Sequence, residues 1–146
     1  MQKETIIRLS RVGFDNVLGY LQGGFESWEA SGKEVDTLQS VSAEVLAQQL
    51  DKDALVFDVR KPGEYAAEHI ENVTSTPLDF LNDHLTEFPI NKDFYVHCAG
   101  GYRSVIAASI LKARGFRKVI DVAGGYGAIK ETAIKRTQAT TCSNSK

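Results

Sequence analysis

Short apolar runs recur along this chain, separated by polar, turn-forming residues. Ala54-Leu55-Val56-Phe57 and Phe94-Tyr95-Val96 are continuous apolar runs, the pattern of strands buried on both faces. Val119 to Val122 reads as a third strand, and Val73 to Pro77 as a short extended piece. Other stretches carry helical spacing. Ser42 is an N-cap, with Glu44 in the first turn, for a helix through Val45, Leu46 and Leu50. Pro62 opens a short helix through Tyr65 and Ala66. Leu78, Leu81 and Leu85 fall on one helical face. Ser104 to Ala113 is apolar nearly all round and is closed by Gly115. Gly124-Gly125 leads into a last helix. Strands alternate with helices throughout, which predicts an α/β fold: a mostly parallel central sheet with helices on both faces.

Part of the pattern occurs twice. VGFDNVLGYLQGGFESW (Val12–Trp28) aligns with RGFRKVIDVAGGYGAI (Arg114–Ile129). Gly13-Phe14 matches Gly115-Phe116, and Val17-Leu18 matches Val119-Ile120. With one residue of slack, Gly23-Gly24-Phe25 matches Gly124-Gly125-Tyr126, and Trp28 falls on Ile129. The offset is about a hundred residues, the size of a small domain. Three parts are therefore expected. Residues 1–34 are the C-terminal remnant of a preceding repeat, with a strand and the Trp28 helix but no sheet of their own. Residues 35–135 are a complete domain. Residues 136–146 are a polar, frayed tail. Apolar groups at Phe14, Leu18 and Phe25 would let the remnant dock or pair between chains.

The totals narrow the partners. A length of 146 residues and a net charge of -2 fit a domain with a real core and no basic field for nucleic acid or an anionic membrane. No stretch is long and apolar enough to span a bilayer, and MQKETIIRLSRVGFD lacks the features of a signal peptide. Two cysteines make no disulfide framework. A reducing cytoplasm with free thiols is the expected setting. No His/Cys/Asp cluster has metal-ligand spacing, and the reading requires no cofactor.

Chemistry concentrates in HCAGGYRS (His97–Ser104). Open parallel sheets place their sites at the carboxyl ends of strands. Cys98 stands at such an end, directly before a helix. Gly100 and Gly101 permit tight curvature, so the backbone of Ala99, Gly100, Gly101, Tyr102 and Arg103 can form a nest of N–H groups. A nest at a helix N-terminus favours the thiolate of Cys98, and Arg103 adds a positive charge. The loop therefore suits a thiolate nucleophile and an anionic partner or intermediate. Asp58 and Arg60 end the first buried strand on the same rim. Asp58 is placed to fix the cysteine loop by hydrogen bonds, and Arg60 to pair with Glu64. His97 points away from the Cys98 side of its strand and reads as packing, as does His69. Cys142, in the tail, reads as a bystander.

These segments together resemble a rhodanese domain. The likeness runs from about Val35 to Ile129 and includes DVRKPGEYAAEHI (Asp58–Ile70), HCAGGYRS and the closing AGGY. LQGGFESW in the first copy resembles the terminal signature of another such domain. The arrangement is similar to the tandem rhodanese part of persulfide dioxygenase-like fusions, in which a metallo-β-lactamase domain comes first. The resemblance implies sulfur transfer: Cys98 takes a sulfane sulfur from thiosulfate or a persulfide, holds it as a persulfide, and passes it to a thiol or cyanide. The implied partners are a small-molecule sulfur donor and a thiol acceptor. Three positions depart from the pattern. Ala99 is often charged in thiosulfate-using members, Glu68 replaces a common glycine, and NVTSTPL replaces the usual segment after His-Ile.

Two rivals stand beside this reading. Phosphatase or arsenate reductase chemistry uses the same fold, but its loops commonly hold one residue more between Cys and Arg than the four here. A non-catalytic binding or regulatory module is the other, although such members usually lose the cysteine and this chain keeps it.

Overall fold

Five parallel strands form the central sheet, in the order Gln39–Val41, Val119–Val122, Phe94–His97, Leu55–Asp58, Thr74–Ser75. The computed structural model describes residues 2–11, 13 and 15–138; Phe14 and Cys142, singled out above, lie outside them. The strands are β1 (Gln39–Val41), β2 (Leu55–Asp58), β4 (Thr74–Ser75), β5 (Phe94–His97) and β6 (Val119–Val122). β5 sits at the centre, pairing Leu55↔Phe94 with β2 and Phe94↔Val119 with β6. The apolar runs read as strands are therefore the three inner ones. β1 is not legible in the sequence: Gln39 and Ser40 are exposed, and the strand forms by adding its backbone to the edge of β6.

Alternation along the strands makes two half-cores. Phe94 and Val96 of β5, Phe57 of β2 and Val119 of β6 pack with Ala107, Ala108 and Leu111 of helix α5 (Tyr102–Ala113). Phe57, Phe88 and Phe94 form an aromatic cluster on this side, with ring centroids 4.4 to 5.6 Å apart. Tyr95, Val56 and Ile120 face the other way, against Leu46 of α3 (Ala43–Leu50) and Tyr126 and Ile129 of α6 (Gly125–Ile129). Ser42 caps α3, its Oγ accepting the Val45 N–H at 3.4 Å. Helix α5 is less enclosed than its composition implies, since Val105 and Ile106 face solvent.

Two expected elements differ. Leu78–Glu87 is not a regular helix but 3₁₀ turns broken at Phe80, where φ is -119° and ψ 17°. Its repeated Asp and Asn are weak helix formers, and Leu81 alone in it is fully buried. Order also continues past residue 135. Arg136–Thr137 form β7, antiparallel to β3 (His69–Ile70). Beyond the sheet, α4 (Pro62–Ala67) follows β2.

The chain divides into two units, the first ending at Thr37 and the second beginning at Leu38. The first unit holds α1 (Gln2–Ser10) and α2 (Gly24–Ala30). The strand expected around Val17-Leu18 is not formed; residues 15–20 have no regular structure. A strand needs a neighbour for its backbone groups. Gly13, Gly23 and Gly24 share positive φ with Gly115, Gly124 and Gly125, the positions aligned with them. Among the described residues no helix is long and apolar enough to cross a membrane.

Candidate functional site

Cys98 continues the Phe94-Val96 alternation, so its side chain enters the half-core beneath α5 and is 1% exposed. The chain must then turn at once into α5. Gly101 makes the turn at φ 100°, a conformation that a side chain would strain. The turn aims backbone donors at the sulfur. The Gly101 N–H donates to Sγ at 3.1 Å, and the N–H groups of Gly100 and Ser104 also stabilise the thiolate. The Ser104 hydroxyl lies 3.5 Å from Sγ and 3.2 Å from the Gly101 carbonyl. As a thiol, Cys98 donates to Ser104 Oγ. As a thiolate, it accepts from the same hydroxyl. Burial pushes the Cys98 thiol up, and these donors together outweigh it, leaving the thiol below its ordinary value of 9.0. Hydrogen bonds, rather than solvent, thus shift Cys98 toward its thiolate form.

The loop backbone is gripped from the opposite side of the sheet. The Tyr126 N–H donates to the Cys98 carbonyl at 2.6 Å, and the Gly127 N–H to the Ala99 carbonyl at 3.0 Å. Gly125 makes this approach feasible: at φ 54° a Cβ would lie 2.9 Å from the Ala99 carbonyl carbon. The AGGY segment thus holds the cysteine loop, a role the sequence reading missed although the glycines signalled close backbone approach. His97 is fully buried, with Nδ1 3.4 Å from the Cys98 carbonyl and its ring stacked on Tyr126. Burial pushes its pKa down and keeps it neutral. It packs, as its position on the strand implies.

The rim charges pair differently from expectation. Arg60 does not reach Glu64. Its guanidinium turns inward, donating to both Asp58 oxygens at 2.7 to 3.0 Å and to the Glu68 carbonyl at 2.7 Å. It also stacks over the Tyr126 ring at 3.8 Å. Asp58 is therefore committed to Arg60, whose backbone N–H it also accepts at 2.9 Å. It makes no hydrogen bond to the cysteine loop, and its Oδ2 lies 3.8 Å from His97 Nε2. Two residues apart on a strand end, Asp58 and Arg60 find each other more cheaply than Arg60 finds a helix side chain. Glu64 pairs instead with Arg103, at 2.6 and 2.8 Å. This two-pronged ion pair ties the start of α4 to the start of α5.

Of the expected loop residues, Gly100 and Gly101 contribute N–H groups to the sulfur, and Ala99 contributes a carbonyl to the α6 grip. Tyr102 opens α5 with its ring 81% exposed. Glu64 and Ser104 join the site without having been singled out as site residues. Glu68 accepts the Tyr126 hydroxyl at 2.9 Å; burial, then that carboxylate, push the tyrosine up to about 12. His69 stacks on Tyr65 at 3.8 Å. Among the described residues no group of three or more His, Cys, Asp or Glu is placed to hold a metal. A groove of about 580 Å³ lies at the other end of β2, lined by Asp51, Asp53, Glu71 and Lys135 among others. It contains no cysteine, serine or threonine and none of the cysteine loop.

Comparison with known proteins identifies the family. The family model for the rhodanese-like domain matches residues 42–132. A putative sulfur carrier protein, YrkF, of Bacillus subtilis is 34% identical over 99 residues, covering 66% of this chain and 54% of that protein. A sulfurtransferase of Allochromatium vinosum is 29% identical over 90 residues, covering 60% of this chain and 84% of that protein. The chain thus spans about half the length of the Bacillus protein and most of the Allochromatium one. Among solved structures, a rhodanese-like domain protein from Staphylococcus aureus superposes with a TM-score of 0.62 at 30% identity, covering 67% of this chain and 97% of that one.

Proposed function

This chain belongs to the rhodanese-like domain family, and from that premise we propose that it is a sulfurtransferase working through a Cys98 persulfide. The observation that carries the reading is the convergence of the Gly100, Gly101 and Ser104 N–H groups on a buried Cys98 sulfur. The names of relatives, sulfurtransferase and sulfur carrier among them, support it.

In this reading the Cys98 thiolate attacks the outer sulfur of a donor, thiosulfate or a persulfide. A bond forms between Sγ and that sulfur, and the donor's own S–S bond breaks. Its electron pair leaves with sulfite or with a thiolate. The N–H nest then stabilises the terminal sulfur of the persulfide anion, as it stabilised the thiolate. An acceptor thiolate, or cyanide, takes the terminal sulfur and restores Cys98. The loop's hydrogen bonds favour the ionised nucleophile, so the reading calls on no separate general base.

Intact mass measured after incubation with thiosulfate, and separately with glutathione persulfide, tests this. Wild type should gain one sulfur, about 32 Da, and Cys98→Ser none, because only a thiolate can take it. No gain from either donor would sink the reading.

A further inference from the structure

An arginine beside a thiolate at the head of a helix would ordinarily draw an anionic substrate. Arg103 is not available in that way. Its Nη1 and Nη2 donate to the two Glu64 oxygens at 2.6 and 2.8 Å, so the terminal edge of the fork that would match an oxyanion is already filled. Glu64 is itself held in place, because Oε2 also accepts the Lys61 N–H at 3.1 Å. The Arg103 hydrogen bonds keep the Glu64 carboxyl ionised, at about 2. The other rim arginine, Arg60, is buried on Asp58. The remaining side chains of the loop, Ala99, Gly100, Gly101 and Tyr102, carry no charge. The loop's one cation is thus neutralised, beside a thiolate with which it interacts electrostatically.

Donors differ in what they ask of that cation. Thiosulfate brings two negative charges to a nucleophile that is already negative. As the Sγ–S bond forms and the S–SO₃ bond breaks, the departing sulfite keeps both charges and the electron pair close to the sulfur. A persulfide R–S–SH reacts by forming Sγ–S and breaking RS–S. The proton stays on the transferred sulfur, and R–S⁻ departs with the pair. Its leaving group carries one charge on sulfur, and any other charges lie further along the carrier.

Resting on the sulfurtransferase reading, we propose that Glu64 is a specificity-determining residue. By occupying Arg103 it withholds the cation that a thiosulfate dianion needs, and it sets the site for persulfides carried on thiols. It acts through Arg103 and touches no reacting atom.

The test uses Glu64→Gln, which retains a side-chain acceptor for the Lys61 N–H, and the double variant Glu64→Gln/Arg103→Gln. Two ratios are measured on the whole chain. One compares Cys98 alkylation by iodoacetate and by iodoacetamide, reagents of similar shape that differ by one negative charge; the ratio cancels the thiolate fraction. The other compares sulfur loading of Cys98 from thiosulfate and from glutathione persulfide. Both ratios should rise about tenfold in Glu64→Gln, the scale of one charge-assisted hydrogen bond regained by an anion. Both should fall back in the double variant, and the rise should shrink with added salt. An alkylation ratio unchanged by Glu64→Gln, or a rise that survives removal of Arg103, overturns the proposal. A raised alkylation ratio with no sulfur gained from either donor overturns the sulfurtransferase reading and the donor assignment with it, while leaving the charge of the site as described.

Discussion

The backbone N–H of Tyr126 donates to the carbonyl of Cys98 at 2.6 Å. Cys98 is therefore held by its carbonyl from α6 while its sulfur is held by the loop in front of α5. Each part of that arrangement can be removed singly.

Gly125→Ala should be the most damaging small change. The new methyl would meet the Ala99 carbonyl carbon at 2.9 Å, at a residue with φ 54°. Strain plus overlap with backbone should cost about 2 kcal/mol or more. Thermal unfolding should show the loss, and sulfur loading of Cys98 should fall with it. Unchanged melting and loading would mean that the close approach of α6 is unimportant.

Ser104→Ala should leave the fold nearly intact and weaken the nucleophile. It removes the hydroxyl that donates to the thiolate, so the thiol rises from its lowered position. The pH midpoint of Cys98 alkylation should move up, and the rate at neutral pH should drop severalfold, in keeping with a hydrogen bond to a charged group. A midpoint equal to that of wild type would remove Ser104 from the site.

Asp58→Asn should cost stability. Asp58 and Arg60 are both buried and bonded chiefly to each other, and removing one charge strands the other, at about 3–5 kcal/mol. Urea unfolding measures this. Asp58→Asn combined with Arg60→Gln should recover part of the loss, because no uncompensated charge remains.

The buried imidazole of His97 makes stability depend on acid. Burial lowers its pKa from 6.5, so it stays neutral in the fold while the unfolded chain takes up a proton near 6.5. Its contribution is whole above 6.5 and shrinks as pH falls through that value toward the lowered one. Nε2 has no hydrogen-bond partner among the described residues, and His97→Phe keeps the ring beside Tyr126. The variant should therefore lose less stability than wild type between pH 6.5 and 5. Parallel stability curves over that range would refute the argument.

The parts that were legible in the sequence follow one physical rule. Val56, Phe57, Phe94 and Val96 announce inner strands because burial on both faces leaves no polar position. Cys98, Gly100 and Gly101 announce a tight turn between a strand and a helix, and the structure closes that turn on the sulfur. What was not legible depended on partners distant in the chain. β1 exists because β6 offers an edge. β7 exists because β3 does. Arg60 chose Asp58 over Glu64 because its fork turns into the protein, and no periodicity encodes the direction in which a rim side chain turns. Glu64 meets Arg103 across a separation of 39 residues, a contact that no local spacing encodes.

The division of the domain into two half-cores has a consequence for engineering. The cysteine places its sulfur in one half-core and its carbonyl in reach of the other, so the smallest transplantable unit is discontinuous. Copying HCAGGYRS into another α/β scaffold would move the nucleophile without its anchor. A working graft needs the glycine-led turn of α6 as well, delivered from a neighbouring strand at backbone contact distance. Sequence searches or designs that score the cysteine loop alone will admit scaffolds in which that loop has nothing to lean on.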